Sequence, residues 1–136
     1  MSYPHYTGES DSWGDGGRIC RRWNGPPPKL ITLCGSTRFK DAFVEASRRF
    51  GLDGHIVLSV SMFGHSGDLT PEACSDGHPI KTALDELHKR KIDLADEVFV
   101  LNVGGYIGRS TRSEIEYAER HRIPVKYLEP LDEAAA

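Results

Sequence analysis

Two short segments carry residue types that do chemistry. In the first, Cys34-Gly35-Ser36-Thr37-Arg38, a glycine, two hydroxyls and a guanidinium follow the apolar run Leu30 to Cys34. Gly35 admits close approach of a ligand to the backbone, and Ser36 or Thr37 can cap a helix that begins there. The free N–H groups of such a helix start attract anions, and Arg38 adds a two-pronged phosphate partner. The plainer reading is that Ser36 only caps and Arg38 faces solvent. The segment is neither a Walker A loop nor a GxGxxG fingerprint, so neither ATP hydrolysis nor NAD redox chemistry is indicated.

The second segment runs from Gly104-Gly105-Tyr106-Ile107-Gly108 through Ser110 and Thr111 to Glu114 and Ala118. It places the Glu114 carboxylate in the first turn of an expected helix. Thr111-x-x-Glu114 also has the spacing of a capping box, in which the glutamate only bonds the amide that starts its own helix. Both readings stand on the pattern alone.

The elements that must position these segments alternate regularly. Leu30 to Cys34, His55 to Val60, Glu97 to Val103 and Val125 to Leu128 read as buried strands. Phe39, Ala42, Phe43, Ala46 and Phe50 mark one helix face, closed by Gly51 and Gly54. Ile80, Leu84, Leu87, Lys91 and Leu94 mark a second helix, Ile80 to Ala95, and Thr111 to His121 a third. The expected fold is therefore α/β, a flavodoxin-like (Rossmann-like) parallel sheet of four to five strands with helices on both faces. Such sheets bind ligands beyond the carboxyl ends of their strands, at the point where strand order reverses. That rule singles out Gly35 to Arg38, the long loop Ser61 to Pro79, and Gly104 to Glu114. In the long loop, Met62, Phe63, His65 and Asp68 are candidates to sandwich and select a ring, although a loop phenylalanine commonly packs into the core.

Composition narrows the partners. The chain has 136 residues, a net charge of -3 and no run near the roughly 20 apolar residues of a membrane span. No membrane partner is expected, and no polymeric nucleic acid, since domains that grip it by bulk charge are basic. Cys20, Cys34 and Cys74 are too few and scattered for a disulfide framework, and no basic-then-apolar leader opens the chain, so a cytoplasmic setting is expected. Residues 1–28, rich in Gly, Ser, Asp and Pro, read as a flexible arm; its one patch with character is Arg18 to Trp23. Residues 29–130 form the expected domain and 131–136 a frayed tail. The histidines show no HExxH spacing and the cysteines no paired CxxC, so no metal site is expected. The charges from Glu86 to Lys91 read as a solvated helix face.

The motifs together resemble one family. Ala95-Asp96 leading into Glu97-Val98-Phe99-Val100, then a Gly/Ser/Thr loop, then Glu114-Ile115-Glu116-Tyr117-Ala118, is similar to the nucleoside 2-deoxyribosyltransferase superfamily. Cys34-Gly35-Ser36-Thr37-Arg38 resembles its 2′-deoxynucleoside 5′-phosphate N-hydrolase branch, and Ile123-Pro124-Val125 fits the strand entry. The resemblance spans Leu30 to Leu128. It implies an enzyme that cleaves the base–sugar bond of a nucleoside 5′-monophosphate. Glu114 would attack the anomeric carbon, as in retaining glycosidases, and water would resolve the glycosyl-enzyme. A helix N-terminus would help keep Glu114 ionised.

Ser36 and Arg38, with Gly35, Gly105, Ser110 or Thr111, would hold substrate. The family places an aspartate at the position of His88; Asp85, one turn earlier, would substitute, or His88 would itself donate a proton. No cofactor is implied, and a homodimer or larger homo-oligomer is. Two rivals remain: a transferase that exchanges bases, and a non-catalytic nucleotide-binding module.

Overall fold

The computed structural model describes residues 25–64 and 67–131. The patch Arg18 to Trp23, residues 1–24 of the expected arm, His65 and residues 132–136 of the expected tail lie outside the described residues. The elements in chain order are β1 (Leu30–Cys34), α1 (Lys40–Leu52), β2 (Ile56–Leu58), α2 (Pro79–Leu94), β3 (Glu97–Val100), a 3-10 turn (Val103–Gly105), α3 (Arg109–Arg120) and β4 (Val125–Tyr127). The four strands form one parallel sheet in the order β2-β1-β3-β4. The expected α/β parallel sheet is thus present, with four strands.

Period-two alternation along the strands gives the sheet two apolar faces. Ile31, Leu33, Phe99 and Leu101 point one way and pack with Phe43 and Ala46 of α1. Cys34, Val98 and Val100 point the other way, against Ile92 of α2 and Ile115 and Ala118 of α3. Helices therefore cover both faces, and strand order reverses between β1 and β3.

Several boundaries differ from the expected ones, each for a local reason. β3 stops at Val100 because the buried Asn102 side chain exchanges two hydrogen bonds with the Glu129 backbone, its Nδ2 donating to Glu129 O and its Oδ1 accepting from Glu129 N. That pairing turns the chain into the 3-10 turn, where Gly104 and Gly105 take φ of 64° and 82°. Side chains seldom adopt such angles, which accounts for the glycine pair. β2 keeps only three residues, and beyond it Lys91 Nζ donates to Ser59 O and Ser61 Oγ.

α1 starts four residues after Ser36, at Lys40, with Phe39 at its cap position and no side-chain cap. Neither Ser36 nor Thr37 caps it. Gly51 lies inside α1 and only Gly54, at φ 87°, follows its end. α2 is capped by His78, whose Nδ1 accepts from Ile80 N, with Pro79 at the first helical position, where its missing N–H costs nothing.

Candidate active site

A cavity of about 300 Å³ opens beyond the carboxyl end of β1, beside the reversal point. This size falls at the lower end of small-molecule pockets. The Ser36–Arg38 turn forms one wall, α2 contributes Lys81, Asp85, His88 and Lys91, and α3 contributes Ser110, Thr111 and Glu114. Gly35 lines it too. A Cβ at Gly35 would stand 3.1 Å from Leu101 Cβ and 3.2 Å from Leu101 O, so a glycine lets the ends of β1 and β3 close up here.

Three expected substrate residues lie elsewhere. Phe63 packs edge-on against Phe43, ring centroids 5.4 Å apart, and joins the α1-side core. Asp68 is spent on its local loop, its carboxylate accepting from Phe63 N. Gly105 belongs to the 3-10 turn and does not line the cavity. Apolar surface on that side comes instead from Val60, Met62, Leu69 and Leu84.

The Ser36 hydroxyl accepts from Arg38 Nε at 3.0 Å, and the Arg38 guanidinium lies 4.5 Å from the centre of the Tyr106 ring. Arg38 is thus stacked and aimed by two neighbours, which removes part of the entropic cost of gripping an anion.

Lys81 was not singled out by its sequence position, yet it joins three cavity groups. Its Nζ bonds Asp85 Oδ2 at 2.8 Å and Ser110 Oγ at 2.6 Å, and lies 3.5 Å from Asp76 Oδ1. Asp76 also pairs with Arg109 across the mouth at 3.1 Å. The i,i+4 spacing of Lys81 and Asp85 was the available signal; the Ser110 contact spans 29 positions and left none. The charges from Glu86 to Lys91 are likewise not all solvated. Glu86 and Arg90 are exposed, whereas His88 is buried and Lys91 reaches the cavity.

Glu114 is 8% exposed, and its Oε2 has no hydrogen-bond partner. The capping box does not form. α3 begins at Arg109 with Gly108 at the cap position, and Arg112 N donates to Gly108 O to close the first turn. Thr111 is therefore inside the helix and buried, and Glu114 sits in the second turn, facing inward. There the helix dipole has faded, and burial dominates. Burial pushes the Glu114 pKa up to about 8, with the neighbouring Cys34 thiol opposing it. Burial thus holds Glu114 mostly protonated at neutral pH, where the resemblance implied an ionised group.

His88 is also buried. Burial and the charge of Lys91 hold its pKa down at about 4, against the pull of its Leu33 hydrogen bond and Asp85. A carbonyl can only accept, so the 2.9 Å contact of Nε2 with Leu33 O places the imidazole hydrogen on Nε2. Neutral at pH 7 and with that hydrogen committed, His88 is not a proton donor of the imidazolium kind. Its Nε2 stands 3.9 Å from Glu114 Oε2 and 3.6 Å from Cys34 Sγ. Burial also raises the Cys34 thiol well above its usual range, and Glu114 pushes the same way. The three form a cluster from β1, α2 and α3 whose donor atoms lie within 4.8 Å of one another. Spacing along the chain gave no sign of it.

Among the described residues, no helix is long and apolar enough to cross a membrane. Compared with protein-family models, curated proteins and solved structures, the chain matches none.

Proposed function

We propose that the protein cleaves the N-glycosidic bond of a nucleoside 5′-monophosphate, with Glu114 as nucleophile. The observation that carries this reading is the Glu114 carboxyl: its Oε2 is buried without a hydrogen bond, in a residue that lines the same cavity as Ser36, Thr37 and Arg38. Arg38, with Ser36, Ser110 and Thr111, holds the phosphate. The apolar wall of Val60, Met62, Leu69 and Leu84 receives the base.

The raised pKa is compatible with attack and shapes it. Only the ionised fraction of Glu114 is nucleophilic, but a carboxylate with few hydrogen bonds is the more reactive for it. As the sugar becomes oxocarbenium-like, its positive charge meets that carboxylate in a water-poor site, where the attraction is strongest. Asp85, held by Lys81, bonds a sugar hydroxyl; the departing base takes its proton from water, and a water then hydrolyses the glycosyl ester, which frees Glu114 and the sugar phosphate. Neutral His88 positions the cluster through Leu33. No cofactor enters the reaction.

The reading includes a cytoplasmic setting, in keeping with the free thiols of Cys34 and Cys74, and a homodimer or larger homo-oligomer. In support of the latter, Ile80, Leu87 and Leu94 stand exposed at seven-residue spacing along one flank of α2.

Incubation with ribo- and deoxyribonucleoside monophosphates, followed by chromatography, tests the proposal. Free base and sugar phosphate are expected. A new nucleotide on adding a second base identifies a transferase instead, and binding without release from any substrate identifies a binding module.

A further inference from the structure

We propose that Cys34, His88 and Glu114 together bind one zinc ion against the cavity wall. A tetrahedral ion with Zn–S near 2.3 Å and Zn–N near 2.0–2.1 Å holds its sulfur and nitrogen about 3.6 Å apart, and its nitrogen and oxygen about 3.4 Å apart. Cys34 Sγ and His88 Nε2 are 3.6 Å apart. His88 Nε2 and Glu114 Oε2 are 3.9 Å apart and the three donor atoms lie within 4.8 Å of one another, so the carboxylate must move inward by at least about half an ångström. No hydrogen bond restrains that oxygen, and Glu114 is 8% exposed. An orphaned buried oxygen beside a thiol and an imidazole is a donor set awaiting a cation.

The mixture of donors selects the ion. A thiolate and an imidazole suit zinc, whereas magnesium and calcium require oxygen ligands throughout. His88 and Glu114 both line the cavity, which leaves a fourth position open to water.

The binding step balances without redox. Zinc replaces the hydrogens of the Cys34 thiol and the Glu114 carboxyl, and two protons pass to solvent. The imidazole hydrogen moves from Nε2 to Nδ1, which frees the Nε2 lone pair for the ion. Leu33 O then loses its 2.9 Å partner. That loss makes the site weaker than a closed structural zinc centre, so the ion exchanges. A consequence that rests on the proposed function follows: zinc occupies the oxygen that would attack the sugar, so zinc inhibits cleavage and substrate opposes zinc.

Cobalt titration of the full chain tests the site directly. The expected spectrum has four-coordinate visible bands and a thiolate-to-cobalt charge-transfer band, both erased by zinc. The charge-transfer band must vanish in Cys34→Ser and persist when Cys20 and Cys74 are both replaced by serine. No such band in the parent protein overturns the proposal. So does a band that survives Cys34→Ser, or one lost in the double variant, which keeps the test decisive if Cys34→Ser fails to fold. Base release in chelator-treated buffer is scored separately, so failure of the glycosidase reading leaves the cobalt result standing.

Discussion

Glu114 Oε2 lies 3.9 Å from His88 Nε2, and at neutral pH this contact is not an ion pair. Burial holds the carboxyl mostly protonated and the imidazole neutral, so both groups keep their uncharged forms. The arrangement stores two opposite pH sensitivities in one cluster.

Those sensitivities should appear in stability. The pKa of Glu114 is raised by folding, so its contribution is fully present below about pH 4.5 and is lost as pH rises through about 8. The pKa of His88 is depressed by folding, so its contribution is present above about pH 6.5 and is lost as pH falls through about 4. Between pH 4.5 and 6.5 the two oppose each other. Denaturant melts across pH should show Glu114→Gln retaining on the order of a few kcal/mol at pH 9 that the parent loses. His88→Gln should flatten the acid limb and leave the alkaline one. Parallel profiles for all three proteins would refute this assignment.

The sheet was legible because Leu30 to Cys34 and Val98 to Leu101 are continuous apolar runs, and α1 because its apolar residues repeat on one face. In α2 the repeat pointed to the wrong face: Ile80, Leu87 and Leu94 are exposed, and His88 and Ile92 turn inward. The general location of the cavity followed from strand ends. Its fine composition did not. Thr111-x-x-Glu114 satisfies a capping box on paper, but Gly108 starts the helix earlier and turns Glu114 inward. Phe63 packs against the core instead, edge-on to Phe43, an arrangement that aromatic pairs favour. Lys81 and the Cys34–His88–Glu114 cluster come from contacts far apart along the chain, which local spacing does not encode.

Arg38 is the test of phosphate recognition. Replacing it with alanine removes a charge-assisted contact worth about 1.5–3 kcal/mol. KM for the nucleoside 5′-monophosphate should therefore rise about 10- to 100-fold, with little change for the unphosphorylated nucleoside. Equal losses on both would show that Arg38 serves the fold or the base.

Gly35 tests the close approach of the two strand ends. In Gly35→Val, the new side chain meets Leu101 Cβ and O, which are already at 3.1 and 3.2 Å from its first carbon. Overpacking of this kind costs about 1–3 kcal/mol. Thermal melts should show the loss, and an unchanged melting temperature would mean that the strands part freely at this point.

The central claim is that the Glu114 oxygen attacks the sugar. The decisive measurement is the single-turnover rate of base release by Glu114→Gln beside the parent protein, on a nucleotide the parent cleaves. The account predicts a fall of at least about 1,000-fold, with nucleotide affinity retained and a parent rate that climbs as pH rises toward 8. Release by Glu114→Gln at a rate near that of the parent would contradict it.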